Sequence, residues 1–165
     1  MDRGSTTPAE IFNNGYVVDQ RVRNAFDVEV EDATVAELDR VIDRLRGEVS
    51  EFFGIALQDS EGCSFLRYLE GGFYRRHRDR IDDEGAQWPR RVSIVLFLTS
   101  AGPGPGAGCE GGALRLYSPV EPSRDDAPLD ILPVEGTLVG FRSGVLHEVL
   151  PVTAGVRDTV VNWFY

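Results

Sequence analysis

Hydrophobic residues between positions 32 and 54 recur every three or four residues, which is the spacing of one face of an α-helix. The spacing predicts a single amphipathic helix over residues 32–54. A capping box of Thr34 and Glu37 is expected at its start, and Gly54 is expected to end it. The expected apolar face consists of Val35, Leu38, Val41, Ile42, Leu45, Val49, Phe52 and Phe53.

After Gly54 the chain changes to short segments rich in aliphatic and aromatic residues, separated by clusters of Gly, Pro, Asp and Ser. Such segments predict β-strands joined by turns. The six predicted strands are residues 64–69, 73–77, 92–99, 113–117, 137–141 and 159–165. Because no second long helical pattern lies between them, the chain favours a jelly roll or β-sandwich with one flanking helix. The polar first twenty residues predict an extended arm or an edge strand.

The length and hydrophobic content indicate one globular domain. A chain of 165 residues buries about 70% of its unfolded surface, and 42% of these residues are hydrophobic. The longest apolar run, residues 92–98, is far shorter than the roughly 20 residues that cross a bilayer. No apolar signal segment is visible at the start, so we expect a cytoplasmic protein with no membrane partner.

The charged residues exclude several classes of function. A net charge of −10 opposes a phosphate-binding surface, so nucleic acid is not an expected partner. All 17 basic residues are arginines, which excludes Schiff-base chemistry and the lysine of a P-loop. Cys63 and Cys109 are too few for a disulfide scaffold and are expected to be ordinary thiols in a reducing compartment. Oligomeric state is not readable from this pattern.

The chain contains two histidines, and one of them lies near a carboxylate. His77 precedes Asp79 by two residues, and on an extended segment such residues face the same side. His147 lies between two apolar stretches, and a jelly roll can bring such a distant strand beside the first. Two histidines and one carboxylate form the facial triad of non-haem Fe(II) oxygenases. The spacing alone equally allows a core histidine at His147 and a surface histidine at His77.

Arg157 favours the metal-site hypothesis. It follows His147 by ten residues and stands at the start of the apolar segment 159–165. A buried arginine is costly unless it meets an anion, and the planar guanidinium suits a carboxylate. The alternative is a structural ion pair with one of the 27 acidic residues of the chain.

Four segments in this order resemble the iron(II)- and 2-oxoglutarate-dependent dioxygenases, in their prolyl 4-hydroxylase-like branch. The segments are residues 67–79, 91–98, 111–114 and 147–157, followed by Trp163. The resemblance implies a double-stranded β-helix, which is a cupin-like jelly roll, mainly β with a flanking helix. It also implies one domain over residues 1–165, with an N-terminal arm and supporting helix in 1–60 and a catalytic core in 61–165.

The resemblance assigns roles to the metal and co-substrate residues. The implied ligands of Fe(II) are His77, Asp79 and His147. The 2-oxoglutarate would chelate the iron, and Arg157 would hold its distal carboxylate. Tyr68 and Thr159 are further candidates for contact with that carboxylate.

Other residues have expected roles around the site. The pair Gly111 and Gly112 would let a strand turn tightly there, which requires residues without Cβ. Arg91 matches a position near the substrate, and Trp163 is expected either to line the pocket or to lie in the core. Residues 81–89 and 101–112 are candidate lids, and surface loops are an equal alternative.

The activity that the resemblance implies is hydroxylation of an unactivated C–H bond, with release of succinate and CO2. The expected substrate is a prolyl residue or a free or carrier-tethered amino acid, so the partner is a peptidyl or small-molecule substrate. O2 is the second co-substrate, and ascorbate is a candidate reductant. Two alternatives are a non-catalytic cupin-like protein that holds a metal with the same triad and a jelly-roll interaction module without metal. Arg157 favours the enzyme, since a metal store needs no anion clamp.

Overall fold

The computed structural model describes residues 5–12, 16–79, 89–103, 108–117 and 127–165. Within these residues the chain forms one helix, α1 (Asp32–Phe53), and fifteen strands. The first strands are β1 (Thr6–Pro8), β2 (Ile11–Phe12), β3 (Tyr16–Val17), β4 (Arg23–Asn24), β5 (Phe26–Val28), β6 (Ser64–Tyr68), β7 (Phe73–His77) and β8 (Val92–Phe97). The remaining strands are β9 (Cys109–Gly111), β10 (Leu114–Leu116), β11 (Leu129–Ile131), β12 (Leu138–Arg142), β13 (His147–Val149), β14 (Val152–Gly155) and β15 (Arg157–Phe164).

The strands form two main antiparallel sheets. The large sheet has the order β1-β5-β6-β15-β8-β12, and the small sheet has the order β11-β10-β13-β7-β4. Two further pairs, β9 with β14 and β2 with β3, complete the strand arrangement of the described residues. This architecture confirms the predicted jelly roll with a flanking helix.

Alternation along the central strands of the large sheet separates a helix-facing side from a cavity-facing side. Val92, Ile94 and Phe164 are buried against Ile42 of α1 in one apolar cluster. On the opposite face, Val95 and Phe97 pack with a different cluster that includes Leu114 of the small sheet. Since successive side chains of a strand point to opposite faces, β8 and β15 can support the helix with one face and line a cavity with the other. The helix therefore packs on the face of the large sheet that points away from the cavity.

The helix has the predicted length, but its start differs from the prediction. Its N-cap is Glu31, and no side chain caps the first turn. The predicted capping box of Thr34 and Glu37 is wrong because Thr34 already lies in the first turn, where its N–H bonds the carbonyl of Glu31 at 2.9 Å. Gly54 ends the helix in a left-handed conformation at φ 64°, as expected.

The buried face of α1 is narrower than the hydrophobic pattern predicts. Phe52 is 82% exposed and Val41 is 45% exposed, so these two residues do not join the core. The other predicted positions are buried or half-buried. No helix among the described residues has the length and apolar character needed to span a bilayer.

Each of the six predicted strand segments contains a strand, and the ends differ by up to two residues. The first residues include β1, which forms the edge of the large sheet as expected. The segment 101–112, for which the sequence offers a lid or a surface loop, contains β9, whose partner is β14. The division of the chain at residue 60 stays a prediction.

Candidate active site

Two strands of the small sheet bring the two histidines together. His77 ends β7, His147 begins β13, and the two residues are directly opposite in the antiparallel register. Asp79 follows β7, with Oδ1 3.4 Å from Nε2 of His77 and Oδ2 3.5 Å from Nε2 of His147. One donor atom from each residue lies within 4.8 Å of the others. The predicted triad is therefore assembled in space.

Backbone hydrogen bonds orient both imidazoles. Nδ1 of His77 lies 2.8 Å from the carbonyl of Arg75, and Nδ1 of His147 lies 2.9 Å from the carbonyl of Val145. Because a carbonyl oxygen only accepts, Nδ1 carries the proton in each ring, and Nε2 of a neutral ring offers a lone pair. Burial lowers the pKa of His147 to about 4, although the charge of Asp79 opposes this shift. His147 is therefore neutral at pH 7.

The carboxylate of Asp79 is held in place by hydroxyl groups. Ser93 on β8 donates from Oγ to Oδ2 of Asp79 at 2.7 Å, and its Oγ lies 2.9 Å from Oγ of Ser143. Burial raises the pKa of Asp79, whereas the two imidazoles and Trp163, which lie beside the carboxylate, lower it. The balance holds the pKa of Asp79 below its ordinary value, so the group is a carboxylate at neutral pH.

The donor set fits a divalent iron. Two Nε2 lone pairs and one carboxylate oxygen lie within 4.8 Å of one another, and hydrogen bonds to backbone carbonyls and to Ser93 hold all three groups. A set of two imidazoles and one carboxylate leaves further coordination positions for co-substrate and dioxygen.

Arg157 lies deep in the same cavity and is only 1% exposed. Its Nε donates to the carbonyl of Gly112 at 2.8 Å, while its buried Nη1 has no hydrogen-bond partner among the described residues. Its Cζ lies 4.9 Å from the ring centroid of Tyr68 and 5.3 Å from that of Phe97. Within the described part of the chain, no carboxylate lies within 4 Å of this guanidinium. The unused donor fits the carboxylate of a ligand.

The two glycines beside Arg157 adopt the conformation expected of them. Gly111 has φ 72° and Gly112 has φ 68°, both in the left-handed region. A Cβ on Gly112 would lie 2.7 Å from Cδ of Arg157, and a Cβ on Gly111 would lie 2.5 Å from the carbonyl oxygen of Pro151. Both positions therefore exclude a side chain, and the guanidinium can lie against the turn.

The cavity that contains these groups has a volume of about 380 Å³ and opens between the two main sheets. Alternate residues of β15 line it, namely Arg157, Thr159, Val161 and Trp163. Alternate residues of β6 line it as well, namely Ser64, Leu66 and Tyr68. The small sheet contributes both histidines, Tyr74, Leu114 and Val149. One cavity thus holds the candidate metal ligands and the buried arginine.

Comparison with known proteins agrees with this geometry. The model of the 2OG-Fe(II) oxygenase superfamily matches residues 63–165. The chain belongs to this superfamily. It is a 2-oxoglutarate-dependent oxygenase, and its cofactor and co-substrates are Fe(II), 2-oxoglutarate and O2. The non-catalytic metal store and the metal-free interaction module are therefore not favoured.

Solved structures of prolyl hydroxylases resemble the oxygenase. A prolyl-4-hydroxylase of Pseudomonas putida is 33% identical, with coverage of 87% of this chain and 73% of that chain and a TM-score of 0.67. The prolyl hydroxylase of Trichoplax adhaerens, in complex with a peptide fragment of the hypoxia inducible factor oxygen degradation domain, shares the fold. It is 22% identical over 97% of this chain and 70% of that chain, with a TM-score of 0.69. No protein with a curated description matches the sequence.

The other predicted site residues of the oxygenase occupy different surroundings. Tyr68 and Thr159 line the cavity near Arg157, and Thr159 donates from Oγ1 to the carbonyl of Leu96 at 2.8 Å. Trp163 lines the cavity beside Asp79 and contributes to the lowered pKa of that carboxyl group. Arg91 has an exposed side chain that does not line the cavity, and its substrate role stays a prediction.

The neighbouring Arg90 does line the cavity. Its guanidinium forms two hydrogen bonds of 2.6 Å with the carboxylate of Glu61, and its Cζ lies 3.7 Å from the ring centroid of Trp163. Residues 81–88 of one candidate lid and residues 104–107 of the other lie outside the described residues.

Sequence reasoning missed Tyr74 and Ser93 as site residues of the oxygenase. Tyr74 stacks on His77 with a centroid distance of 3.5 Å and an interplanar angle of 19°. A β-bulge in the pairing of β7 with β13 places Val149 opposite Tyr74 and His147 opposite His77, so two residues an odd number apart face the cavity. No sequence signal marks this bulge. Ser93 could have been found as a polar residue on the inward face of an apolar strand.

Proposed function

We propose that the protein hydroxylates an unactivated C–H bond of a prolyl residue or of a free or carrier-tethered amino acid. The products are the alcohol, succinate and CO2, with one oxygen atom of O2 in the alcohol and one in succinate. The observation that carries the proposal is the shared cavity of His77, Asp79, His147 and the unpartnered Nη1 of Arg157. The likeness to the Pseudomonas putida prolyl-4-hydroxylase supports the proline class.

The metal ligands in this proposal are Nε2 of His77, Nε2 of His147 and the carboxylate of Asp79. Bound iron supplies the oxidising chemistry, which no side chain can provide. The carbonyls of Arg75 and Val145 keep each imidazole in the tautomer that a metal requires. Ser93 keeps the carboxylate of Asp79 turned toward the same point.

The 2-oxoglutarate in this proposal binds through its distal carboxylate to Nη1 of Arg157. The Nε–H of Arg157 already bonds Gly112, so the orientation of the guanidinium is fixed before the ligand arrives. Tyr68 and Thr159 line the same end of the cavity. The hydroxyl of Tyr68 can donate a hydrogen bond to the carboxylate, whereas the hydroxyl of Thr159 can do so only by leaving the carbonyl of Leu96. Preorganised donors in a buried site bind an anion without further reorganisation.

Apolar side chains separate the arginine end from solvent in this proposal. Leu66, Leu114, Val149 and Val161 line the cavity between the two sheets. Exclusion of water strengthens the electrostatic contacts to the co-substrate and protects a reactive oxidant from side reactions. The contribution of these four side chains to the reaction is therefore to exclude water and not to bind the metal.

An anaerobic titration tests the site. Apo-protein mixed with Fe(II) and 2-oxoglutarate should develop the visible charge-transfer band of the chelated complex, and His77→Ala should abolish it. A wild-type protein that binds Fe(II) but develops no band contradicts the proposal.

A turnover assay tests the reaction class. Proline-containing peptides, free L-proline and a carrier-tethered prolyl group should each be incubated with Fe(II), 2-oxoglutarate and O2, and succinate and a mass gain of one oxygen should be measured. Ascorbate, the predicted reductant, is added in parallel reactions. A band without hydroxylated product from any of these compounds would overturn the proline class while leaving the co-substrate site intact.

A further inference from the structure

Most charged side chains that line the cavity already have a described role or a described contact. Asp79 faces the metal site and Arg157 faces the co-substrate end, while Arg90 is paired with Glu61. Arg78 donates to the carbonyl of Gly144. Three charged side chains that line the cavity remain, and they are Glu10, Arg23 and Asp27. One cationic and two anionic groups of the cavity are thus left without a described role.

Arg23 and Asp27 belong to a segment that crosses from one main sheet to the other. Arg23 on β4 pairs with Tyr74 of the small sheet, and Asp27 on β5 pairs with Leu66 of the large sheet. Directly paired residues face the same side of a sheet, and both Tyr74 and Leu66 line the cavity. The two charges therefore point into the cavity from opposite sheets.

Arg23 has an unused hydrogen-bond donor. Its Nη1 donates to the carbonyl of Glu10 at 2.7 Å, and its Cζ lies 4.9 Å from the ring centroid of Tyr74. Its Nε is buried, and among the described residues it has no partner. Since Tyr74 stacks directly on His77, a single aromatic ring separates this guanidinium from a metal ligand.

Asp27 provides a negative charge in the same cavity as the positive charge of Arg23. No cationic nitrogen of the described chain lies within 4 Å of its carboxylate, and it accepts no side-chain hydrogen bond there. Burial raises the pKa of Asp27; Arg23 partly offsets this increase, and Glu10 adds to it. A bound cation would relieve both the burial and the repulsion from Glu10.

We propose that the substrate is a free α-amino acid bound as a zwitterion, with its carboxylate on Arg23 and its ammonium group between Asp27 and Glu10. This inference rests on the proposed function and narrows its substrate class. A peptidyl residue would present neutral amides to these groups, and the guanidinium and the carboxylate would stay unpaired. The position beside Tyr74 places the side chain of such a substrate toward the metal ligands.

A matched set of small molecules tests which charges the site requires. The probes are the twenty free amino acids, and for L-proline also L-prolinamide, N-acetyl-L-proline, N-acetyl-L-prolinamide and a proline-containing peptide. Anaerobic calorimetry with Fe(II) and 2-oxoglutarate measures binding, and succinate release with mass spectrometry measures turnover. At least one free amino acid should bind and be hydroxylated, and loss of either charge should weaken its binding by about tenfold or more.

Three variants test whether Arg23 binds the carboxylate of the free amino acid. Arg23→Gln should raise the KM for the free amino acid by roughly ten- to a hundredfold, because it removes a charge-assisted contact. Arg23→Lys keeps the positive charge and should recover part of the loss. Arg21→Gln is the control, since Arg21 is an exposed residue of the same segment that pairs with Asp19, and it should keep the wild-type KM.

The outcomes separate this inference from the proposed function. Efficient hydroxylation of the neutral peptide, unaffected by Arg23→Gln, overturns the zwitterion site and leaves the hydroxylase in place. Failure of all twenty free amino acids to bind overturns the zwitterion site as well. Absence of the Fe(II) and 2-oxoglutarate band overturns the proposed function itself.

Discussion

Arg157 and Gly112 are matched in shape: the guanidinium donates from Nε to the glycine carbonyl at 2.8 Å, and its Cδ occupies the space where a Cβ would lie. The arginine can be buried against the turn because the glycine at φ 68° has no side chain. The orientation of this guanidinium thus depends on a residue that has no side chain.

Gly112→Ala should therefore weaken 2-oxoglutarate binding. The new methyl would meet Cδ of Arg157 at 2.7 Å, and the left-handed backbone should cost about 1–2 kcal/mol of unfolding free energy. The expected KM for 2-oxoglutarate rises at least tenfold. Gly136→Ala is the control, since Gly136 has φ 80° and a Cβ at this position would meet no atom within 4 Å. Gly136→Ala should lower the unfolding free energy and leave the KM for 2-oxoglutarate unchanged. An equal rise in this KM for both variants would contradict the role of Gly112 in orienting Arg157.

Arg157→Ala should raise the KM for 2-oxoglutarate by roughly a hundredfold while the protein remains folded. Its neighbour Asp158 already forms two 2.8 Å hydrogen bonds with Arg67, so that pair is structural. Arg67→Ala should lower the unfolding free energy by about 1–3 kcal/mol and leave the KM unchanged. Circular dichroism with denaturant and steady-state assays measure the two effects. If Arg157→Ala unfolds the protein, a purely structural role for the arginine is favoured.

Ser93→Ala should weaken Fe(II) binding by roughly 10- to 100-fold, because the hydroxyl that orients Asp79 is lost. Ser143→Ala provides a comparison, since its hydroxyl bonds Ser93 and makes no direct contact with the carboxylate. Its effect on the Fe(II) dissociation constant should be smaller. Anaerobic metal titration measures both constants, and a larger loss in Ser143→Ala would count against this role for Ser93.

Both thiols of the folded protein should be slow to react at pH 8. Burial, with a smaller contribution from Asp39, raises the pKa of Cys63 to about 12, and burial also raises the pKa of Cys109. A pKa of about 12 leaves roughly one thiolate in ten thousand at pH 8, and thiolate is the reactive form. Ellman's reagent should detect two thiols after denaturation and almost none before it. A rapid equivalent from the native protein would show that one thiol is accessible and ionised.

The three candidate metal ligands illustrate what the sequence could predict. The spacing of two residues placed His77 and Asp79 on one side of an extended segment, and both face the same site in the structure. From the residues alone His147 is only a candidate, because its pairing with His77 depends on the register of two strands far apart in the chain. The resemblance to a known family supplied that link, and the geometry agrees with it.

The positions of Arg23 and Asp27 in the cavity could not be predicted from the sequence, for a different reason. Arg23 and Asp27 lie in short strands. Residues 26–30 alternate apolar and polar positions, but such a pattern predicts that the polar side faces solvent and not a cavity. Their inward direction is set by the partners Tyr74 and Leu66, and the bulge in β7 turns Tyr74 toward the cavity. Arg90 and Arg91 are likewise adjacent in sequence, and tertiary packing decides which of them lines the cavity.

The strand β15 lines the cavity from the arginine end to Trp163 with every second residue. Substitution of one of these residues changes one contact, but loss or insertion of a single residue within the strand would turn the following inward side chains outward. Length changes in β15 should therefore be eliminated by natural selection much more strictly than substitutions. Diversity among descendants of this enzyme is expected to arise by point changes along the strand and by length changes in the connections around it.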